Sequence, residues 1–427
     1  MSKSRIVAGI ELGSSKITTL MAQVNVDPVS FETSISVVGA ASVDSSGVKK
    51  GQVVDIDSLV ESTISSVEAA ERMAGYNLSD AYVALGGANV ASQNSHGVVA
   101  VSHPDNEIDE NDVDRVIEAA SAVSLPSSRE IIHVIPREFM VDGEGGIKDP
   151  VGMSGVRLEV ETHLITASAA SVKNIRKAVN EVGVNLDGLV FSGIASANAV
   201  LSKTEKELGC VLVDIGGGTT SIAVYVDGAL AYSGVIPVGA KNVTNDLAIG
   251  LRVSLDSAEK IKLALSEDDK KKVKSDAKSI GDIDMIDFTN LGIEDTKRVS
   301  KKTLLQGIIK PRLNEIFTMV RIELEKENLR ARIPSGAIIT GGGAETSGVE
   351  ESAKKMLSLP VRIGKPKGVG GLIDDIITPA YSTPLGLILY AAEEAPQGNM
   401  STITRKLKLP SGGFFGKVTN MIKDLLP

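Results

Sequence analysis

The chain has no tryptophan, one cysteine and four histidines among its 427 residues, and aromatic residues make up 3% of it. A single cysteine excludes an internal disulfide, and Cys210, in an apolar run, reads as a buried structural thiol. His96, His103, His133 and His163 are scattered, with no H-E-x-x-H and no paired cysteines, so no transition-metal site is expected. Scarce aromatics remove the stacking platforms on which single strands of nucleic acid are held. The net charge of -9 has the wrong sign for a phosphate backbone, so nucleic acid is not an expected partner. No apolar run approaches the roughly 20 residues that span a bilayer, and the N-terminal MSKSRIVAGI lacks the features of a signal peptide. A place in the cytosol or on the inner face of a membrane is expected.

What the chain does have is the balance of a packed protein, 42% hydrophobic and 23% charged residues, over a length that accommodates two or more cores. Its organising stretch is Val211 to Val226, VLVDIGGGTTSIAVYV: an apolar run, an acid, three glycines, two threonines and a second apolar run. Between two strands such a turn forms a concavity of backbone N–H groups that a polyphosphate can approach without side chains in the way. Asp214 is placed to hold Mg²⁺ through water, because that ion keeps most of its hydration shell. For one such stretch a plain glycine-rich hairpin is the simpler account, but the pattern occurs twice. Val7 to Leu20, VAGIELGSSKITTL, aligns Glu11 with Asp214 and Gly13 with Gly216, and a third glycine turn follows an apolar run in IITGGGA, 338–344. Two acid-glycine hairpins in different halves of the chain predict duplicated domains facing one nucleotide, with the third turn free for the adenosine end.

Periodicity predicts short strands over 35–43 and 51–55, a helix over 56–74 and a strand over 81–85. Residues 86–166 read as inserted material, with strands around 97–101, 130–141 and 156–164 and a helix from about Glu110 to Val123. A helix over 171–182, a strand over 186–191 and a small-residue helix from Ser192 to Leu201 follow. In the second half a helix over 238–251, its N-terminus expected to face the nucleotide, precedes SAEKIKLAL, which puts Glu259 and Lys262 on one helical face. By themselves these two are most simply a solvated ion pair. The mixed-charge run 266–278 reads as a solvated loop or helix end, and 283–288 and 298–304 continue a smaller subdomain. Residues 308–332 read as one long helix interrupted early by Pro311, with Leu313, Ile316, Val320 and Leu324 buried. A closing helix spans 379–392.

Beyond Glu394, prolines and glycines mark a flexible linker, 396–413. The last stretch, FFGKVTNMIKDLLP, gathers Phe414, Phe415, Val418, Met421, Ile422, Leu425 and Leu426 within an arc of about 140° at 100° per residue, with Lys417, Lys423 and Asp424 opposite. From Ser401 onward five basic residues face one acid. That composition suits a helix lying in the interface of an anionic bilayer; a helix docked back on protein is the alternative.

The two hairpins and the third turn resemble the phosphate and adenosine motifs of the actin, Hsp70 and sugar-kinase superfamily of ATPases. VDSSGVKKGQVVDID, HVIPREFMVD, IKDPVGMSGVRLEVETHLITA, VDIGGGTTSIAVY, PLGLILYA and the tail carry the likeness over essentially the whole chain. By these stretches it resembles the bacterial cell-division family FtsA. The resemblance implies an α/β, actin-like (ribonuclease H-like) two-lobed ATPase fold with an inserted small α+β subdomain and a C-terminal amphipathic helix. The first lobe would take 1–85, 167–200 and 380–395, and the insertion 86–166. The second lobe would take 201–240 and 305–379, and a small nucleotide- and partner-binding subdomain 241–304.

The resemblance further implies ATP and Mg²⁺ as cofactors. Backbone groups at Gly13, Ser14, Ser15, Gly216, Gly217, Gly218 and Thr219 would hold phosphates, with Lys16 adding charge and Glu11 and Asp214 orienting Mg²⁺ or water. Glu259 and Lys262 would point toward ribose and adenine, and Gly341, Gly342 and Gly343 would form the adenosine turn. Glu11 stands where many superfamily members have Asp, so binding with weak or no hydrolysis is expected. The implied partners are the C-terminal tail of FtsZ, received near Arg298, Lys301 and Lys302, further copies of the chain in filaments, other division proteins through the insertion, and anionic lipid. The implied location is the cytoplasmic face of the cell membrane, peripheral, at the division septum. Within the superfamily a small-molecule kinase is an alternative that leaves the tail without a role, and an adaptor of another membrane assembly, such as a pilus apparatus, is a second. A chaperone ATPase would need a substrate domain for which too little chain remains.

Overall fold

The protein's structure, a computed structural model, describes residues 3–27, 32–274, 285–293, 298–371 and 375–394. The linker 396–413 and the amphipathic stretch 414–427 lie outside the described residues, as do parts of the runs 266–278 and 283–288. Contacts divide the chain into Met1–Glu393, which carries the fold, and Glu394–Pro427, of which only Glu394 is described.

Both hairpin motifs fold as their sequences dictate. Lys3–Leu12 pairs antiparallel with Lys16–Val26, and Cys210–Ile215 with Thr220–Val226. Every residue of the second pair is buried, which is why it reads as unbroken apolar runs rather than alternation. Each pair then extends in the same way. The first continues antiparallel into Thr33–Asp44 and, on its other side, parallel into Asp80–Leu85 and Asn185–Phe191. The second continues antiparallel into Ala229–Ile236 and parallel into Ala337–Thr340 and Val361–Ile363. The repeated motif therefore reports a repeated sheet. The two-residue strand Gly370–Gly371 joins the edge of the first sheet beside Ser36 and Val37, so the chain returns to the first half before the boundary at 380.

Helix Ile56–Ala74 covers the first sheet. Asp55 caps it by accepting from Ser58 N at 3.1 Å, and Gly75, at φ 72°, ends it. Helix Ser382–Glu394 closes the same half from the other side, so tightly that a Cβ on Gly9 would lie 2.7 Å from Leu387 Cβ.

The inserted segment forms a four-stranded sheet of Ala91–Ala100, Arg157–Ser168, Arg129–Val141 and Glu144–Ile147. Helix Glu110–Ser121, started by a capping box between Asp109 and Asp112, lays Val113, Val116, Ile117 and Ala120 on Phe139, Leu158 and Val160. It thus has its own core, and it leans on the second half. Ser92 Oγ donates to the Ser233 carbonyl at 2.6 Å, and the buried His163 bridges Asn94 Oδ1 at 2.7 Å and Ser233 Oγ at 3.0 Å.

The helix expected over 308–332, interrupted early at Pro311, starts within a π turn and ends at Lys326, with a separate 3-10 turn at Arg330–Arg332. A short α-helix Lys301–Leu304 passes through a π turn, Leu305–Ile309, into the α-helix Lys310–Lys326. Pro311 has no N–H to donate and crowds the preceding turn, so it sits in the first turn of the longer helix, and the wide turn absorbs the misfit. Asn328, at φ 55°, ends that helix, with Leu329 N bonded back to Leu324 O. Leu313, Ile316, Val320 and Leu324 form its buried stripe.

Candidate functional site

Each hairpin turns beside its acid: Leu12 faces Ile17 around Gly13–Ser15, and Ile215 faces Thr220 around 216–219. The two turns touch. A Cβ on Gly217 would lie 2.8 Å from Ser15 Cβ, and one on Gly218 2.8 Å from Ser14 Oγ, so the approach requires glycine. Ser14 Oγ accepts from Gly51 N at 2.8 Å, which fixes the first turn. The second is fixed by helix Ala240–Leu251, whose Ala240 and Lys241 amides donate to the Gly216 and Gly217 carbonyls at 2.9 and 2.8 Å. The N–H groups of Ser14, Ser15, Gly217 and Gly218 donate to no described residue. Orphan amides gathered from two turns suit an anion. They open onto a cavity of about 360 Å³ that is also lined by Glu11, Lys16, Asp214, Lys241, Glu259 and Lys262.

Asp214 is 6% exposed and is held by two hydroxyls. Its Oδ2 accepts from Ser196 Oγ at 2.5 Å and Thr383 Oγ1 at 3.0 Å, and those two hydroxyls lie 2.8 Å apart. Burial raises its pKa above the usual carboxylate range, and the two hydroxyl bonds oppose the rise. Burial, and then the charge of Asp214, push Glu11 up to about 8. A shared proton or a cation relieves two such carboxylates. The donors here are all oxygen, which fits Mg²⁺ held by one or two carboxylates and its own waters.

The third turn closes the cavity through backbone geometry. Gly341 sits at φ 80°, where a Cβ would meet Asp214 Oδ1 at 2.1 Å. Gly342 and Gly343 line the cavity; Gly341 supports it from behind. Opposite, Lys262 is only 7% exposed, which corrects the expectation of a solvated ion pair. Its Nζ donates to Glu259 Oε2 at 2.8 Å and Thr244 Oγ1 at 3.0 Å, and Thr244 Oγ1 donates to Glu259 at 2.5 Å.

Arg298 lies outside this cavity and pairs with Asp287 at 2.9 Å across the two-stranded ladder of Met285–Asp287 and Arg298–Ser300. Lys301 and Lys302 begin the short helix that follows. The membrane-facing residues expected between Phe414 and Leu426 lie outside the described residues.

Comparison with known proteins bears on the whole chain. Residues 87–166 match the family described as the SHS2 domain inserted in FtsA, and residues 211–386 match the family described as cell division protein FtsA. The cell division protein FtsA of Borreliella burgdorferi is 39% identical over 408 residues, covering 96% of each chain. The chain belongs to the FtsA family. The FtsA proteins of Pseudomonas aeruginosa and Escherichia coli K12 are 35% and 33% identical, covering 95% and 98% of this chain and 93% and 98% of theirs. Among solved structures, a PilM-PilN type IV pilus biogenesis complex superposes with a TM-score of 0.62 at 16% identity, covering 90% of this chain and 98% of that one. The ethanolamine utilization protein EutJ from Carboxydothermus hydrogenoformans does so with a TM-score of 0.50 at 18% identity, covering 90% of each. The fold is the actin-like ATPase fold, interrupted in the FtsA manner by an SHS2 insertion, and the protein is a cell-division protein.

In this FtsA-family chain Ser196, Thr383 and Thr244 were not legible as site residues, and Lys241 only as part of a helix start facing the nucleotide. For the first two a signal existed. SGIASANAV and STPLGLIL are runs of small and apolar residues whose hydroxyls are buried, and a buried hydroxyl needs a partner. For Thr244 and Lys241 the partner lies on another element, and no local pattern marks it.

Proposed function

We propose that this FtsA-family protein binds ATP with Mg²⁺ in the cavity between its hairpins and tethers FtsZ polymers to the cytoplasmic face of the membrane at the septum. The observation that carries the nucleotide reading is the contact of Gly217 with Ser15, which brings amides from both halves to one anion-sized place beside Glu11 and Asp214. Bound Mg²⁺ would neutralise phosphate charge. Asp214, immobilised by Ser196 and Thr383, and Glu11 would hold it. Gly13, Ser14, Ser15 and 216–219 would hold phosphates, Lys16 would add charge, and Glu259, Lys262 and the turn 341–343 would receive the nucleoside.

The longer arm of Glu11 favours holding over turnover, so the nucleotide serves chiefly to favour head-to-tail assembly. A heterologous contact of that kind yields filaments when it does not close. Arg298, Lys301 and Lys302 contribute basic character to the site for the FtsZ tail, and the insertion meets other division proteins. The amphipathic stretch 414–427 lies in anionic lipid.

Sedimentation with anionic liposomes, with and without ATP, beside a version ending before Phe414, tests the tether. Full-length protein is expected in the pellet and the truncated version in the supernatant. Equal partitioning of the two would remove the membrane role. Normal binding of the FtsZ tail by a variant with alanine at 298, 301 and 302 would remove that assignment.

A further inference from the structure

Lys241 lines the cavity outside the three glycine turns and the Glu259–Lys262 pair. It is exposed, in the first turn of helix Ala240–Leu251, the end of a helix that repels a cation. Among the described residues no carboxylate pairs with it; its Nζ donates to the main-chain carbonyl of Ser14 at 2.8 Å. That bond crosses from the second half to the first. Its acceptor is neutral, whereas the free amides of Ser14 and Ser15 on the same turn, with those of Gly217 and Gly218, suit an anion. The Lys241 amide is itself bonded to Gly217 O at 2.8 Å, so the stem of the side chain is anchored to one turn and its tip to the other.

A hydrogen bond from an ammonium to an anionic oxygen is roughly twice as strong as a neutral one. A four-carbon stem lets the tip change partner without moving the helix.

We propose that Lys241 is a phosphate-binding residue of this cavity, exchanging the Ser14 carbonyl for the phosphoryl oxygens of a nucleoside polyphosphate seated on the two turns. The inference rests on the nucleotide reading above. It makes Lys241 a determinant of phosphate number: a nucleoside without phosphates leaves the bond to Ser14 in place, and a polyphosphate replaces it.

Calorimetric titration of the full chain with ATP, ADP and adenosine in the presence of Mg²⁺ tests this, using wild type, K241Q and K241R. One charge-assisted bond corresponds to roughly a 10- to 100-fold change in affinity. K241Q is expected to lose about that much for ATP, with adenosine changed less than about twofold, and K241R to keep ATP within about threefold. ATP binding by K241Q within twofold of wild type would overturn the inference and leave the nucleotide site standing. Parallel losses for ATP and adenosine would also overturn it, because they report a structural role. A wild-type chain that binds neither ligand would overturn the nucleotide reading and the inference together.

Discussion

Thr383 and Asp214 are 169 residues apart in the chain and 3.0 Å apart in the fold. With Ser196, Thr383 ties the acid of the second hairpin to the helix that precedes it and to the helix that closes the first half. Removing either hydroxyl leaves a buried carboxylate short of a partner, which costs about 1–3 kcal/mol. S196A and T383V are each expected to lower the midpoint of thermal unfolding by about 2–4 °C per kcal/mol lost. In the double variant the losses should fall short of additive, because the two hydroxyls also contact each other. Scanning calorimetry of the two variants and their combination checks this, and unchanged midpoints would contradict it.

Glu11 gives the site a pH dependence whose sign follows from its pKa, raised from 4.5 to about 8 by burial first and by Asp214 second. The folded state binds this proton more tightly than the unfolded state, so its contribution to stability is complete below about pH 4.5 and is lost as pH rises through about 8. Without Mg²⁺ or nucleotide, urea midpoints are expected to fall across that window. E11Q should flatten the fall, and added Mg²⁺ should oppose it.

His163 has the opposite sign. Burial holds its pKa down at about 3, with Arg137 and His133 adding to the effect. The neutral ring is what fits between Asn94 and Ser233. Its contribution is present above about pH 6.5 and is lost as pH falls toward 3. Protection factors for amide exchange in the strand Ala229–Ile236 and in the insertion, corrected for the intrinsic slowing of exchange at lower pH, are expected to fall between pH 7 and pH 5, and less so in H163N.

Gly217 and Gly341 separate binding from folding. G217A places a methyl 2.8 Å from Ser15 Cβ and parts the turns. Its ATP affinity is expected to fall at least about tenfold, the loss of one charge-assisted hydrogen bond, with little change in melting. G341A combines φ 80° with a contact at 2.1 Å to Asp214 Oδ1. It is expected to yield far less soluble protein. Equal solubility and equal affinity in both variants would contradict the assigned roles.

The two hairpins, the third turn, the insertion and the buried stripe of the long helix were readable because each is a local pattern: an apolar run, an acid, glycines, or a 3.6-residue period. In the 308–332 region the interruption at Pro311 was legible, but the end of the helix after Lys326 was not, because Asn328 acts there through backbone geometry rather than periodicity. Glu259 and Lys262 were located on one helical face, but the burial of Lys262 depends on its bond to Thr244 from the neighbouring helix.

Two like sheets, each presenting an acid beside a glycine turn, were legible in the chain itself, because strand and turn chemistry are set by neighbours along it. The touching of the turns at Gly217 and Ser15, the immobilising of Asp214 by Ser196 and Thr383, and the crossing of Lys241 from one half to the other arise in the folded chain alone. Those contacts join residues far apart in the chain, and the packing of the sheets and of the helix Ser382–Glu394 sets their distances.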